Sequence, residues 1–204
     1  MIYTGERLVP DSFSIDDRIM VEHLDRYRFA SHLIMDWKDR PKKLKVLDAP
    51  CGVGYGAALL AEQTLGNVFG FDNDEQTILY ARDRYGAVPN LHFLTVDLDE
   101  YGIAENTYDV AVCFEGIEHV KDQVVVAKKL CQTVRHPGMI IVSTPRRGGP
   151  GAGSEFHTQE LLRDELYELF WPHLTNIQMY GQDLRVGDQN PDGNARYYVL
   201  VGTK

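Results

Sequence analysis

Residues 46–57, V-L-D-A-P-C-G-V-G-Y-G-A, constrain this chain more than any other stretch. Val46 and Leu47 close a short apolar run with the composition of a buried strand, and Asp48 stands where that strand leaves its sheet. Cys51, Gly52, Val53, Gly54, Tyr55 and Gly56 make a tight turn, after which Ala57, Ala58, Leu59, Leu60 and Ala61 open a run of good helix formers. Strand, glycine turn and helix in that order let backbone approach a nucleoside-containing cofactor closely. A carboxylate at Asp48 repels a pyrophosphate and suits a cofactor that is cationic or hydroxyl-rich there. Gly52, Gly54 and Ala57 also fit the loose dinucleotide fingerprint, with acidic Asp72 about 20 residues on. The turn alone therefore leaves an NAD-type oxidoreductase open.

The rest of the chain alternates around this turn. Residues 1–16 are polar and irregular, and Met20, Leu24, Tyr27 and Ile34 recur at helical spacing over about 17–37. Strands are expected at 44–47, 67–71, 91–96, 108–114 and 139–143. Asn73 with Gln76 reads as a capping box opening a helix that carries Ile78, Ala81 and Tyr85 on one face. Residues 98–107 read as a short helix or loop. A helix from about Asp122 places Val124, Ala127, Leu130 and Val134 together and is closed by His136, Pro137 and Gly138. Another, over about 158–170, aligns Leu162, Leu166, Leu169 and Phe170. Five strands alternating with helices imply a parallel sheet covered on both faces. The last two strand-like runs, 174–180 and 196–202, have only a polar loop between them and are expected to add an antiparallel hairpin. The glycine-rich segment within 145–156 is expected to be a mobile loop.

The 204 residues, 44% of them hydrophobic, suit one compact domain over 1–204 with no linker or internal repeat. A net charge of −9 argues against a broad nucleic-acid or anionic-membrane surface, because phosphate binding relies on Lys and Arg. Cys51, Cys113 and Cys131 are odd in number and lack a C-x-x-C pair, so neither a disulfide framework nor a structural zinc site is expected. The start of the chain lacks a signal-peptide pattern, and no apolar run nears the ~20 residues of a membrane span. Cytoplasm is the expected compartment.

Taken together the motifs resemble the class I S-adenosylmethionine-dependent methyltransferases over most of the chain. VLDAPCGVGYG is similar to that family's first motif, FGFDND to its second, FLTVD to its third, YDVAVCFEGIEHV to its fourth and HPGMIIVSTPR to the stretch around its fifth strand. GERLVP, EHLDRY and EFHTQEL resemble a subgroup associated with sugar or small-molecule substrates. The resemblance implies a three-layer α/β/α sandwich with a seven-stranded, mostly parallel sheet in the order 3-2-1-4-5-7-6, strand 7 antiparallel. It also implies that the N-terminal segment and helix, 1–40, pack over the cofactor site. One departure is Pro50, which stands where the family's first motif has its first glycine; proline removes an N–H and fixes φ.

The resemblance assigns S-adenosylmethionine as cofactor, with S-adenosylhomocysteine as product. Asp48 would serve the methionine portion. Cys51, Gly52 and Gly54 would bring the turn backbone to the cofactor, and Asp72 would take the ribose hydroxyls, with Phe71 and Asn73 beside it. Asp97 and the Leu98 backbone would meet the adenine amino group. Glu115 would meet the methionine amino group or line the pocket, and Tyr27, with Arg26, would lie over the methionine carboxylate. Glu118 and His119 are the candidate catalytic pair, with His157 a second candidate base, since imidazole titrates near neutral pH. Arg146 and Arg147 are candidates for gripping an anionic substrate group. No metal is expected, because no ligand cluster is visible in the spacing.

The implied reaction moves a methyl group to an oxygen or nitrogen of a small acceptor, a sugar or glycan being the first choice. A catalytically silent S-adenosylmethionine-binding protein and a methyltransferase acting on protein or nucleic acid are the alternatives. Asp48, Asp97 and the terminal hairpin count against the oxidoreductase.

Overall fold

A computed structural model of the chain describes residues 9–10, 17–100, 104–150, 152–191 and 193–204. Most of the 1–16 segment, including all of GERLVP but its last two residues, lies outside the described residues. So do residues 101–103 and one residue of the glycine-rich loop. The helices are α1 (Arg18–Asp36), α2 (Tyr55–Thr64), α3 (Glu75–Tyr85), α4 (Gln123–Thr133) and α5 (Arg163–Phe170). The strands are β1 (Lys45–Asp48), β2 (Asn67–Asp72), β3 (Leu91–Thr95), β4 (Tyr108–Phe114), β5 (Val134–Pro145), β6 (Thr175–Gln182), β7 (Val186–Gln189) and β8 (Tyr197–Thr203). Among the described residues no helix is long and apolar enough to cross a membrane.

All eight strands form one sheet in the order β3-β2-β1-β4-β5-β8-β6-β7. β1 to β5 pair in parallel, and β8 runs antiparallel between β5 and β6. This is the expected sandwich and strand order with one strand more. The addition, β7, comes from the polar loop before β8 and pairs antiparallel with β6. Asp188 makes it by accepting the N–H groups of Asp183, Leu184 and Arg185 at 2.8–2.9 Å, while Asp25 of α1 accepts that of Val186 at 2.7 Å. Carboxylates, not an apolar period, order this strand, so hydrophobic patterning had nothing to read.

The central strand β4, YDVAVCF, is buried at every position, as befits a strand covered on both faces. Val110, Val112 and Phe114 pack with Tyr27, Ala30 and Ile34 of α1, with Ala57 and Leu60 of α2 and with Ile78 of α3. Ala111 and Cys113 face the other way, into a core with Leu130 of α4 and with Leu166 and Phe170 of α5.

Several helix ends differ from the sequence expectation, because a side chain or the backbone found another partner. α3 is capped by Asp74 rather than Asn73: its carboxylate accepts the Thr77 N–H at 2.9 Å and the Thr77 hydroxyl at 2.5 Å. A full negative charge at a helix N-terminus also suits the helix dipole. Val134 opens β5 instead of ending α4, and His136, Pro137 and Gly138 lie within the β5 span. α5 begins at Arg163, not near Thr158. The N–H groups of Thr158 and Gln159 donate instead to the Glu118 carbonyl at 2.8 and 3.2 Å, and Arg146 and Leu161 form a bridge. The stretch before α5 is thereby tied to the loop after β4.

Candidate active site

A cavity of about 290 Å³ opens at the C-terminal ends of β1, β2 and β4, where the strand order reverses direction between β1 and β4. Open parallel sheets bind ligands in this crevice because the adjacent loops diverge there. The glycine turn forms one wall. Gly54 has φ +89° and packs away from the cavity, where a Cβ would crowd Phe93 and Ala81. The Cys51 N–H donates to the Phe71 carbonyl at 2.7 Å, and the Gly52 N–H donates to Asp72 Oδ2 at 3.0 Å. Asp72 Oδ1 accepts the Asp74 N–H, also at 3.0 Å. Two backbone donors thus fix the Asp72 carboxylate at the cavity edge. Asn73, Asp97 and Leu98 continue this wall with apolar Phe71 and Val96, and Asp97 accepts the Asp99 N–H at 2.8 Å. Flat apolar surface beside carboxylates suits a nucleoside.

The middle of the cavity lies under α1. Tyr27 lines it with its ring edge-on to Phe114, centroids 5.0 Å apart, and its hydroxyl donates to Asp48 at 3.2 Å. Asp48 is fully buried behind this ring. Burial pushes its carboxyl well above the usual range, against the pull of the Tyr27 bond, and Asp72 adds to the rise. His23, one turn before Tyr27 on α1, bonds the Tyr55 hydroxyl through Nδ1 at 2.9 Å; burial and then Arg26 hold its imidazole well below the ordinary value. Glu115 has φ +49°, a left-handed conformation uncommon outside glycine, and its carboxylate accepts the Ser143 hydroxyl at 2.7 Å. The fully buried Arg26 stands 4.0 Å from Glu115, lies over the Tyr197 ring and donates to Gln182 at 2.7 Å.

The far end joins two distant segments. Glu118 is fully buried, and its Oε2 accepts the Thr144 hydroxyl at 3.1 Å. Burial, reinforced by Glu115, pushes the Glu118 carboxyl up. His119 donates from Nδ1 to the Phe156 carbonyl at 2.9 Å, which leaves the Nε2 lone pair of the neutral ring directed elsewhere. His157 bonds the Glu160 carboxylate through Nδ1 at 2.7 Å. Burial raises the Glu160 carboxyl, but the His157 bond and the Gly153 N–H outweigh it and the net shift is down. The two imidazoles stand edge to face, centroids 5.1 Å apart.

Residues 46–138 match the family model described as a methyltransferase domain. The chain carries a Rossmann-like methyltransferase domain. It is 34% identical over 173 residues to a probable S-adenosylmethionine-dependent methyltransferase of Mycobacterium tuberculosis, covering 81% of this chain and 58% of that protein. A probable enzyme of the same type from Mycolicibacterium smegmatis is 35% identical, with coverage of 81% and 62%. The chain thus spans about three-fifths of the length of these relatives. Its fold matches that of magnesium protoporphyrin IX methyltransferase from Synechocystis with bound S-adenosylhomocysteine, at a TM-score of 0.68 and 17% identity over 94% of this chain and 88% of that one. S-adenosylmethionine is the cofactor of this methyltransferase family. The donor set fits it: carboxylates stand beside flat apolar surface at one end, and Glu115 lies where a sulfonium or ammonium would gain from a negative charge.

Tyr27, Cys51, Gly52, Asp72, Asn73, Asp97, Leu98, Glu115, Glu118, His119 and His157 all line the cavity. Asp48 and Gly54 do not. Asp48 meets the cavity from behind the Tyr27 ring, and Gly54 shapes the turn from the core side. Arg26 also lies behind the wall. Arg146 bonds the Gly193 carbonyl and Arg147 pairs with Glu165, so both are engaged within the protein. Pro50 keeps its place in the cavity wall, against Gly116. Sequence reasoning missed His23, Tyr55, Asp99, Phe156 and Tyr197. His23 alone carried a signal, standing four residues before Tyr27 on a helix and so on its face.

Proposed function

We propose that the chain is an S-adenosylmethionine-dependent methyltransferase whose acceptor is a small molecule bearing a hydroxyl or amine, a sugar or glycan being the leading class. The observation that carries the acceptor class is the charge of the cavity wall. Asp72, Asp97, Asp99, Glu115 and Glu118 line it, with neither Lys nor Arg among the described lining residues. Such a wall repels phosphate and carboxylate and favours neutral or cationic groups.

When bound, S-adenosylmethionine supplies an activated methyl group. Asp72 would hold the ribose hydroxyls, Asp97 with the Leu98 backbone the adenine edge, and Gly52 the closest backbone approach. Glu115, Tyr27 and His23 would surround the methionine portion, with Asp48 fixing the Tyr27 ring. At the other end His119 or His157 would take the acceptor proton, and Glu118 would stabilise the imidazolium that results. In-line placement of acceptor and methyl supplies most of the rate. The loop carrying Ser154, Phe156 and His157 would close over the acceptor and exclude water. Three buried cysteines, none of them in a disulfide, support a reducing compartment such as the cytoplasm.

The test is calorimetric titration with S-adenosylmethionine, S-adenosylhomocysteine and NAD, on the wild type and on Asp72→Ala. Binding of the first two, none of NAD, and loss in the variant are expected. Tight NAD binding, or no binding of all three, refutes the reading. Methyl transfer is then assayed on a panel of sugars, amines, a basic peptide and RNA. Cofactor binding without turnover on any of them would mark a silent binding protein.

A further inference from the structure

The acceptor end holds a buried oxygen without a partner among the described residues. Glu118 Oε1 has no hydrogen bond to any of them, although the other oxygen of the same carboxylate is bonded to Thr144. The His119 Nε2 nearest to it stands 3.9 Å away, beyond hydrogen-bond reach. An orphaned buried oxygen is destabilising, and more so when charged, so something is expected to satisfy it. One ligand atom from each of Glu118, His119 and His157 lies within 4.8 Å of the others. The sequence conceals this grouping, because His157 comes from a loop beyond β5.

We propose that Glu118, His119 and His157 bind one divalent transition-metal ion at the acceptor end of the cavity, and that its open coordination positions hold the acceptor hydroxyl. The partners of the two imidazoles fit this. A metal-bound imidazole donates its other ring N–H to a carbonyl or carboxylate, which fixes the tautomer. His119 does so to Phe156 and His157 to Glu160. Two imidazoles and one carboxylate are a borderline donor set, which selects zinc, manganese, iron or cobalt over magnesium and calcium. Three donors on arms of about 2.1 Å stand about 3.4 Å apart in a tetrahedral site, and the two imidazoles, both only partly buried, rotate to close that gap.

The ion's binding stands on the geometry alone, whereas its role rests on the methyl-transfer reading. A hydroxyl bound to the ion loses its proton to water near neutral pH. Its oxygen then bonds the methyl carbon as the methyl–sulfur bond breaks, that electron pair remaining on sulfur. The proposal narrows the acceptor to a hydroxyl compound. It also gives His119 and His157 a different task from that of general bases.

The probe is cobalt(II), added to protein first stripped with a chelator and saturated with S-adenosylhomocysteine. One equivalent is expected to give the visible absorption of a low-coordinate cobalt site, lost on adding zinc and unchanged by magnesium. Affinity is expected to fall by more than about 100-fold in His119→Ala/His157→Ala and in the less disruptive His157→Gln. His32→Ala, an exposed α1 residue, is expected to bind as the wild type does. Circular dichroism and S-adenosylhomocysteine titration on each variant verify the fold. No cobalt spectrum in the wild type, or an equal spectrum in a folded double variant, overturns the proposal. Cobalt binding that persists when S-adenosylhomocysteine fails to bind upholds the metal site and overturns the methyltransferase reading instead.

Discussion

Gly56 tests whether the roof of the cavity is built as described. It is buried in the first turn of α2, and a Cβ there would fall on the ring of Tyr27. The ring has no room to retreat: it is 5% exposed, edge-on to Phe114 at 5.0 Å and to Tyr55 at 6.0 Å. Gly56→Ala therefore overpacks the site, which costs about 1–3 kcal/mol. Displacing the ring also breaks the Tyr27–Asp48 bond, worth about 1 kcal/mol. The better helix propensity of Ala returns up to about 1 kcal/mol. The net loss is about 2 kcal/mol, or about 4–8 °C in Tm for a chain of this size. Urea unfolding of a double-mutant cycle isolates the cause. In a Tyr27→Ala background the added methyl finds space, and Gly56→Ala is expected to be neutral or stabilising. Equal cost in both backgrounds, or none in the wild type, would refute the packing argument.

Asp48→Asn is expected to gain stability relative to the wild type as pH rises from 4 to 8, measured by thermal unfolding without ligand. The folded Asp48 pKa lies above its unfolded value, so the native state holds the extra proton between the two and wild-type stability falls as pH climbs through that window. Asn keeps an acceptor for Tyr27 and has no proton to lose; a pH-independent difference would refute the buried-acid account. Asp74→Ala removes the α3 cap and should lower Tm by about 2–4 °C, the effect of roughly 1 kcal/mol, whereas Asn73→Ala should leave α3 stability unchanged. The reverse order would restore Asn73 as the cap.

The sequence alone determined the main strands of the sheet and the cavity wall at the glycine turn. The glycine turn lies between apolar strand and helix former, and Asp72 and Asp97 sit where strands leave the sheet, so short-range chemistry fixes both position and direction. Fully apolar runs such as YDVAVCF announced a sheet buried on two faces. Long-range contacts decided the rest. β7 depends on Asp25 of α1 meeting a loop some 160 residues later. Asp48 and Gly54, which the motif put at the cofactor, turned inward because Tyr27 and Phe93 occupy the space beside them. His157 reached His119 only because residues before α5 gave their N–H groups to the Glu118 carbonyl instead of starting a helix. Local pattern determines which backbone segments form and which way they point. Which side chains share a cavity depends on how distant segments meet, and no one-dimensional period carries that.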